Sequence, residues 1–224
     1  MSKIENMLSL QQELNDTTNG KGWERGVTKQ GKEINWRRCI YLEGAELIDS
    51  YPWKHWKNID AKPDRENIKI ELVDIWHFVM SEILRVNALE DKLSLKELAL
   101  KIEKAIENLN PTKEESFYKE IEAIEKFLGK LFCNFEPIDF TKSFFEICYK
   151  LDLDFDTLYK LYIGKNILNS FRQNHGYKDG SYIKVWNNKE DNVVMQEILE
   201  ANANISAKEL YEKLEEVYKE IKRP

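Results

Sequence analysis

The chain has 224 residues, of which 42% are hydrophobic, 12% aromatic and 33% charged. That composition excludes a disordered polymer, and the length leaves room for one large folded domain or two small ones. Lys and Arg number 34 against 40 Asp and Glu, a net charge of −6, which argues against a general nucleic-acid binder because such a surface must be broadly positive. Nine Gly and five Pro are few for a β-sandwich or a doubly wound sheet, so helix is favoured. No run approaches the roughly 20 apolar residues of a membrane span. Lys3, Glu5, Glu13 and Asp16 interrupt the first residues, unlike a signal peptide. Cys39, Cys133 and Cys148 form no CxxC pair and read as thiols of a reducing cytosol. The expectation is a cytoplasmic protein with no membrane or nucleic-acid partner.

In chain order, Ile4, Met7, Leu8, Leu10 and Leu14 make a helical stripe over 4–14 that should end between Asn15-Asp16 and Gly20. After a polar connection, a second helix is predicted from about Trp36 to Ser50, a loop over 58–66, and a third helix from about Ile68 to Asn87. Residues 94–109 and 114–133 read as two amphipathic helices separated by Asn110-Pro111, with Thr112 as N-cap. Residues 141–150 and 154–171 are again helical, and about 190–202 and 206–221 close the chain. Between them, 174–192 is irregular and polar, the kind of loop that carries function. With no repeat and no clear linker, the fold class is all-α, and residues 1–224 read as a single domain.

The sharpest local feature is Glu43-x-x-Glu46 in the second helix, answered by Glu71-x-x-Asp74 in the third. Residues three apart share a helix face, so each pair projects together. Both pairs interrupt apolar stretches, where a carboxylate is costly without a compensating cation or donor. If the two helices pack antiparallel, the four acids converge into an oxygen-rich site suited to Mg²⁺. The other possibility at this point is ordinary surface acids, since ExxE is common on helices.

Residues 160–192 carry six basic groups (Lys160, Lys165, Arg172, Lys178, Lys184 and Lys189) against Asp179, Glu190 and Asp191. This net positive segment of an acidic chain suggests anion recognition, with Arg172 able to grip phosphate through two parallel hydrogen bonds. A solvated face remains the alternative. No GxxxxGK[ST] and no GxGxxG occurs, which excludes a P-loop and a dinucleotide fingerprint.

The spacing Glu43-x-x-Glu46 … Glu71-x-x-Asp74 is similar to the signature of the all-α nucleoside triphosphate pyrophosphatases. Longer strings resemble the dimeric dUTPases: Glu46-Leu-Ile-Asp-Ser-Tyr-Pro-Trp-Lys-His-Trp-Lys57, Val73-Asp-Ile-Trp-His-Phe78, Phe171-Arg-Gln-Asn-His-Gly-Tyr-Lys-Asp-Gly-Ser-Tyr182, and Leu10-Gln-Gln-Glu-Leu-Asn15. The resemblance covers about 5–80 and 155–200; the middle, about 88–150, matches only as helices. It implies an all-α bundle of the pyrophosphatase type with one basic phosphate-binding loop near the C-terminus. The activity it implies is Mg²⁺-dependent hydrolysis of dUTP, and of dUDP, to dUMP, in a homodimer. The metal ligands would be Glu43, Glu46, Glu71 and Asp74, holding two or more Mg²⁺, with Glu46, and Glu43 second, as the base for the attacking water. Lys165, Asn169, Arg172, Tyr177, Lys189 and Asn192 fall where the family contacts phosphate and sugar. Gln11, Asn15, Trp53, His55, His77 and Phe78 would build the uracil side, with amides reading the base edge and Phe78 stacking on the ring or crowding the 2′ position.

Two positions depart from the family pattern: Gly44, where Cys or Ala is usual, and His175, where Asn or Asp is usual, which leaves His175 without a family role. Alternatives stay open on the sequence. Relatives of the same fold act on dCTP together with dUTP, or on non-standard triphosphates. A di-iron carboxylate protein would use Asp74-x-x-His77 but lacks a second such pair. A helical interaction protein would use the exposed Lys/Glu helices of 94–127.

Overall fold

Side-chain caps start the first six helices. Ser2, Asn35, Asp64, Ser94, Ser116 and Glu136 each accept a hydrogen bond from the backbone N–H three residues on, relieving one of the donors that a helix start leaves unpaired. They open α1 (Lys3–Asn19), α2 (Trp36–Asp49), α3 (Arg65–Leu89), α4 (Leu95–Ile106), α5 (Phe117–Gly129) and α6 (Pro137–Lys150). Next come α7 (Phe155–Asn174), a hairpin of β1 (Val185–Trp186) and β2 (Lys189–Glu190), α8 (Asp191–Ala201) and α9 (Ala207–Ile221). The structure is a computed structural model that describes residues 1–58, 60–133, 135–202 and 205–221.

Helix content agrees with the all-α expectation, and the differences lie at boundaries. The first helix continues to Asn19 and stops at Gly20, whose φ of +89° suits a residue without Cβ. The fifth starts at Phe117 because Ser116, not Thr112, supplies the cap. The sixth starts at Pro137, whose fixed φ suits the first helical turn. Inside the stretch expected to be irregular, Asn187 and Asn188 hold positive φ values of 50° and 66°. Those are the conformations a two-residue hairpin turn demands, and Asn tolerates them well.

The chain divides into two compact units, Met1–Leu158 and Tyr159–Pro224. In the first, α2 runs antiparallel along α3. Asp64 N donates to Ser50 O over 2.9 Å at one end of the pair, and Trp36 stacks on Phe78 at 5.9 Å toward the other. Trp76 of α3 stacks on Phe144 of α6 and meets Phe145 edge-on, both at 5.1 Å, and Met7, Leu8, Ile40 and Leu72 of the same unit are buried. Gly44 explains its own departure from the family pattern: a Cβ there would lie 2.4 Å from Leu128 Cδ2 of α5. Glycine gives up about 1 kcal/mol of helix propensity and lets Leu128 seat against α2 at Gly44; burying such a side chain contributes about 1.5–3 kcal/mol.

In the second unit, Phe171 centres an aromatic cluster, with Trp186, Tyr211 and Tyr218 edge-on at 5.8, 5.2 and 5.4 Å. The hairpin approach is pinned at Ile183, whose N–H donates to Tyr218 Oη (3.1 Å) and whose carbonyl accepts from Trp186 Nε1 (2.7 Å). Among the described residues, no helix is long and apolar enough to cross a membrane.

Candidate functional site

The antiparallel register of α2 and α3 sets Glu43 and Glu46 opposite Glu71. Each offers a carboxylate oxygen, and the three atoms lie within 4.8 Å of one another. Glu71 is buried, Glu43 half-buried and Glu46 exposed, so the group runs from the helix interface out to solvent. Two carboxylates at this range repel by roughly 1 kcal/mol in water and roughly 3 kcal/mol at an effective dielectric of 20. Asp74, half-buried one turn beyond Glu71, lies outside that 4.8 Å group. Asn67, one turn before Glu71, donates from Nδ2 to Glu71 Oε1 (3.1 Å) and to Ser50 Oγ (2.8 Å). This bridge fixes the buried carboxylate relative to the end of α2. The donor set is oxygen alone, as hard divalent cations such as Mg²⁺ prefer. Burial pushes the thiol of neighbouring Cys39 up, and Glu43 adds to that. Histidine is absent from the group. His77, the partner Asp74 would need in a di-iron pair, faces Gln11 instead.

Of the residues expected on the base side, Gln11, Asn15 and His77 come together. Both amides are 3% exposed, with Gln11 Nε2 donating to Asn15 Oδ1 (3.2 Å) and Gln11 Oε1 2.7 Å from His77 Nδ1. These polar groups occupy the inner face of α1, while Leu10 and Leu14 of the expected stripe are only half-buried. Phe78, next to His77, stacks on Trp36. Trp53 and His55 lie apart from this group on the exposed loop between α2 and α3, where each packs edge-on against Trp56.

Within the second unit, Arg172 is 8% exposed and organises the predicted phosphate residues. Its Nε and Nη2 bind the two carboxylate oxygens of Asp191 at 2.8 and 2.7 Å, so the two-bond grip assigned to phosphate from the sequence is made with Asp191. Nη2 also donates to Asn192 Oδ1 (3.1 Å) and Nη1 to Asn169 Oδ1 (3.2 Å). Lys165 Nζ donates to the same Asn192 oxygen (2.8 Å), and the guanidinium sits 5.7 Å above the Tyr177 ring. Lys189 stands apart, paired with Glu197 at 2.6 Å on an exposed face. Asp191 is fully buried and accepts from Tyr182 Oη at 2.7 Å; burial first, and then the Asp191 charge, pushes the Tyr182 phenol far above its ordinary value. His175 ties α7 to α9, with Nδ1 2.8 Å from Phe171 O and Nε2 3.0 Å from Glu215.

Sequence reasoning missed Ser81, Asn67 and Asp191. The first two had a usable signal, since Ser81 follows His77 and Asn67 precedes Glu71 by one helical turn. Asp191 had none, because it stands nineteen positions from Arg172, beyond a loop and a hairpin.

A family model described as dUTPase matches residues 3–177. The matched stretch holds the four acids, the Gln11–Asn15–His77 group and Arg172, while Lys189, Asp191 and Asn192 lie beyond it. No curated protein matches the chain.

Proposed function

Because the chain belongs to the dUTPase family of nucleotide pyrophosphohydrolases, we propose that it hydrolyses dUTP, and dUDP, to dUMP, with release of pyrophosphate from the triphosphate. The observation that carries the reading is the gathering of Glu43, Glu46 and Glu71 within 4.8 Å, an all-oxygen group of the kind hard divalent cations take. Glu43, Glu46, Glu71 and Asp74 would hold Mg²⁺, two ions or more. The bound metal would supply charge neutralisation for the phosphate oxygens and a lowered pKa for a water. Glu46 is the base of choice. It is the exposed member of the group, so it can take a proton from water and pass it to solvent, whereas Glu71 is buried and tied to Asn67.

Gln11, Asn15 and His77 read the uracil edge, and Phe78 stacks on the ring or crowds the 2′ position. Lys165, Asn169, Tyr177 and Asn192 take the phosphates and sugar on the strength of the resemblance, as does Lys189. Arg172 joins them through Nη1, its other edge being committed to Asp191. A homodimer and a cytoplasmic setting belong to the same proposal, the first on the resemblance and the second on the unpaired number of cysteines.

The test is pyrophosphate release from a panel of dUTP, dCTP, dTTP and UTP with and without Mg²⁺. Preference for dUTP, abolished by chelation, is the expected result. Equal hydrolysis of dUTP, dCTP and dTTP would refute the uracil assignment.

A further inference from the structure

Ser81 sits on α3 one turn after His77, with no exposed surface. Its Oγ is 2.8 Å from His77 O, 3.0 Å from Gln11 Nε2 and 3.0 Å from Asn15 Nδ2, and 3.5 Å from Asn15 Oδ1. A hydroxyl has one proton to give. The shorter of its two acceptors is the His77 carbonyl, the back-bond to the preceding turn that serine makes within a helix. With that proton spent, the oxygen can only accept, so both amides must turn their NH₂ groups toward Ser81. The Gln11 oxygen is then left facing His77 Nδ1 at 2.7 Å, and Nδ1 must carry the imidazole proton. One buried hydroxyl therefore fixes the polarity of two amides and the tautomer of a histidine.

That polarity matters for base choice. Uracil presents acceptor, donor, acceptor along its pairing edge, while cytosine presents an acceptor, a second acceptor at N3 and an amino donor. An amide free to turn end for end serves either base, because rotation exchanges its oxygen and NH₂. An amide held in one sense serves one. Resting on the reading of Gln11 and Asn15 as base readers, we propose that Ser81 is a positioning residue that sets selectivity for uracil over cytosine without touching the nucleotide.

The experiment compares kcat/KM for dUTP and dCTP in the wild type, S81A, S81T and N15A. S81A should lower the dUTP:dCTP ratio at least about tenfold, largely through KM, while kcat at saturating dUTP and the Mg²⁺ dependence hold. S81T, which keeps the hydroxyl, should recover most of the ratio. A merely structural role would move turnover on both nucleotides together. If the wild type discriminates and N15A does not, but S81A keeps the wild-type ratio, the proposal for Ser81 falls while the base-reading assignment stands. If the wild type hydrolyses both alike, the assignment falls and takes the proposal with it. Should S81A not fold, imidazole ¹⁵N shifts of the wild type decide: neutral His77 protonated at Nδ1 supports the proposal, and protonation at Nε2 overturns it.

Discussion

Two charged clusters, one in each unit, are built in opposite ways. In the first, three like charges on α2 and α3 are brought within 4.8 Å, and part of that group opens to solvent. In the second, Arg172 and Asp191 are opposite charges, both buried, and they neutralise each other through two short hydrogen bonds. A neutralised pair is scaffold: it fixes α8 against the end of α7 and has nothing left over for chemistry on its bonded edge. A concentrated set of one sign is an arrangement that a divalent cation can bridge. Function and stability should therefore separate between the two places.

The largest effect should come from breaking the first. Glu46→Gln is expected to lower turnover about 10²–10⁴-fold, the range of a lost general base, with helix content unchanged by circular dichroism and thermal stability in the absence of Mg²⁺ equal to or above that of the wild type. Breaking the second should do the reverse. Asp191→Ala strands a buried guanidinium and is expected to cost about 3–5 kcal/mol, read as a drop in the urea midpoint. A smaller loss follows from Gly44→Ala, where a new Cβ meets Leu128. Overpacking of about 1–3 kcal/mol, set against about 1 kcal/mol of helix propensity regained, predicts a net cost near 1 kcal/mol in the same assay.

The smallest is a pH effect in the second unit. Burial pushes the Glu215 carboxyl up, but Lys219 and His175 beside it outweigh that and hold it below its ordinary value of 4.5. A depressed folded-state pKa stabilises above the unfolded value and is lost as pH falls through the folded one. Glu215→Gln should thus flatten the acid limb of stability below about pH 4.5 by a few tenths of a kcal/mol, since the pair is partly exposed.

Much of the first unit is legible in the sequence because its determinants are local. Periodicity gives α2 and α3, although α3 starts at Arg65 behind the Asp64 cap rather than near Ile68, and Glu43, Glu46 and Glu71 inside apolar runs mark the face where they meet. The amide pair Gln11 and Asn15 is legible as a shared helix face, but its burial is not, because Leu10 and Leu14 look like the better core residues until α1 is seen against Ser81 and His77. The second unit reads less well for a physical reason. A basic segment looks like an anion site, yet the strongest partner of Arg172 is an acid in the same segment, and no local rule says which of three acids it takes. His175 similarly looks like an accident until α9 brings Glu215 to it.

The most direct test of the central claim is a calorimetric titration of Mg²⁺ into the wild type and into the triple variant E43Q/E46Q/E71Q. Saturable binding to the wild type that disappears in a folded triple variant is the predicted result. The same isotherm from both proteins would contradict the account, because the three glutamates would then be gathered for something other than a cation.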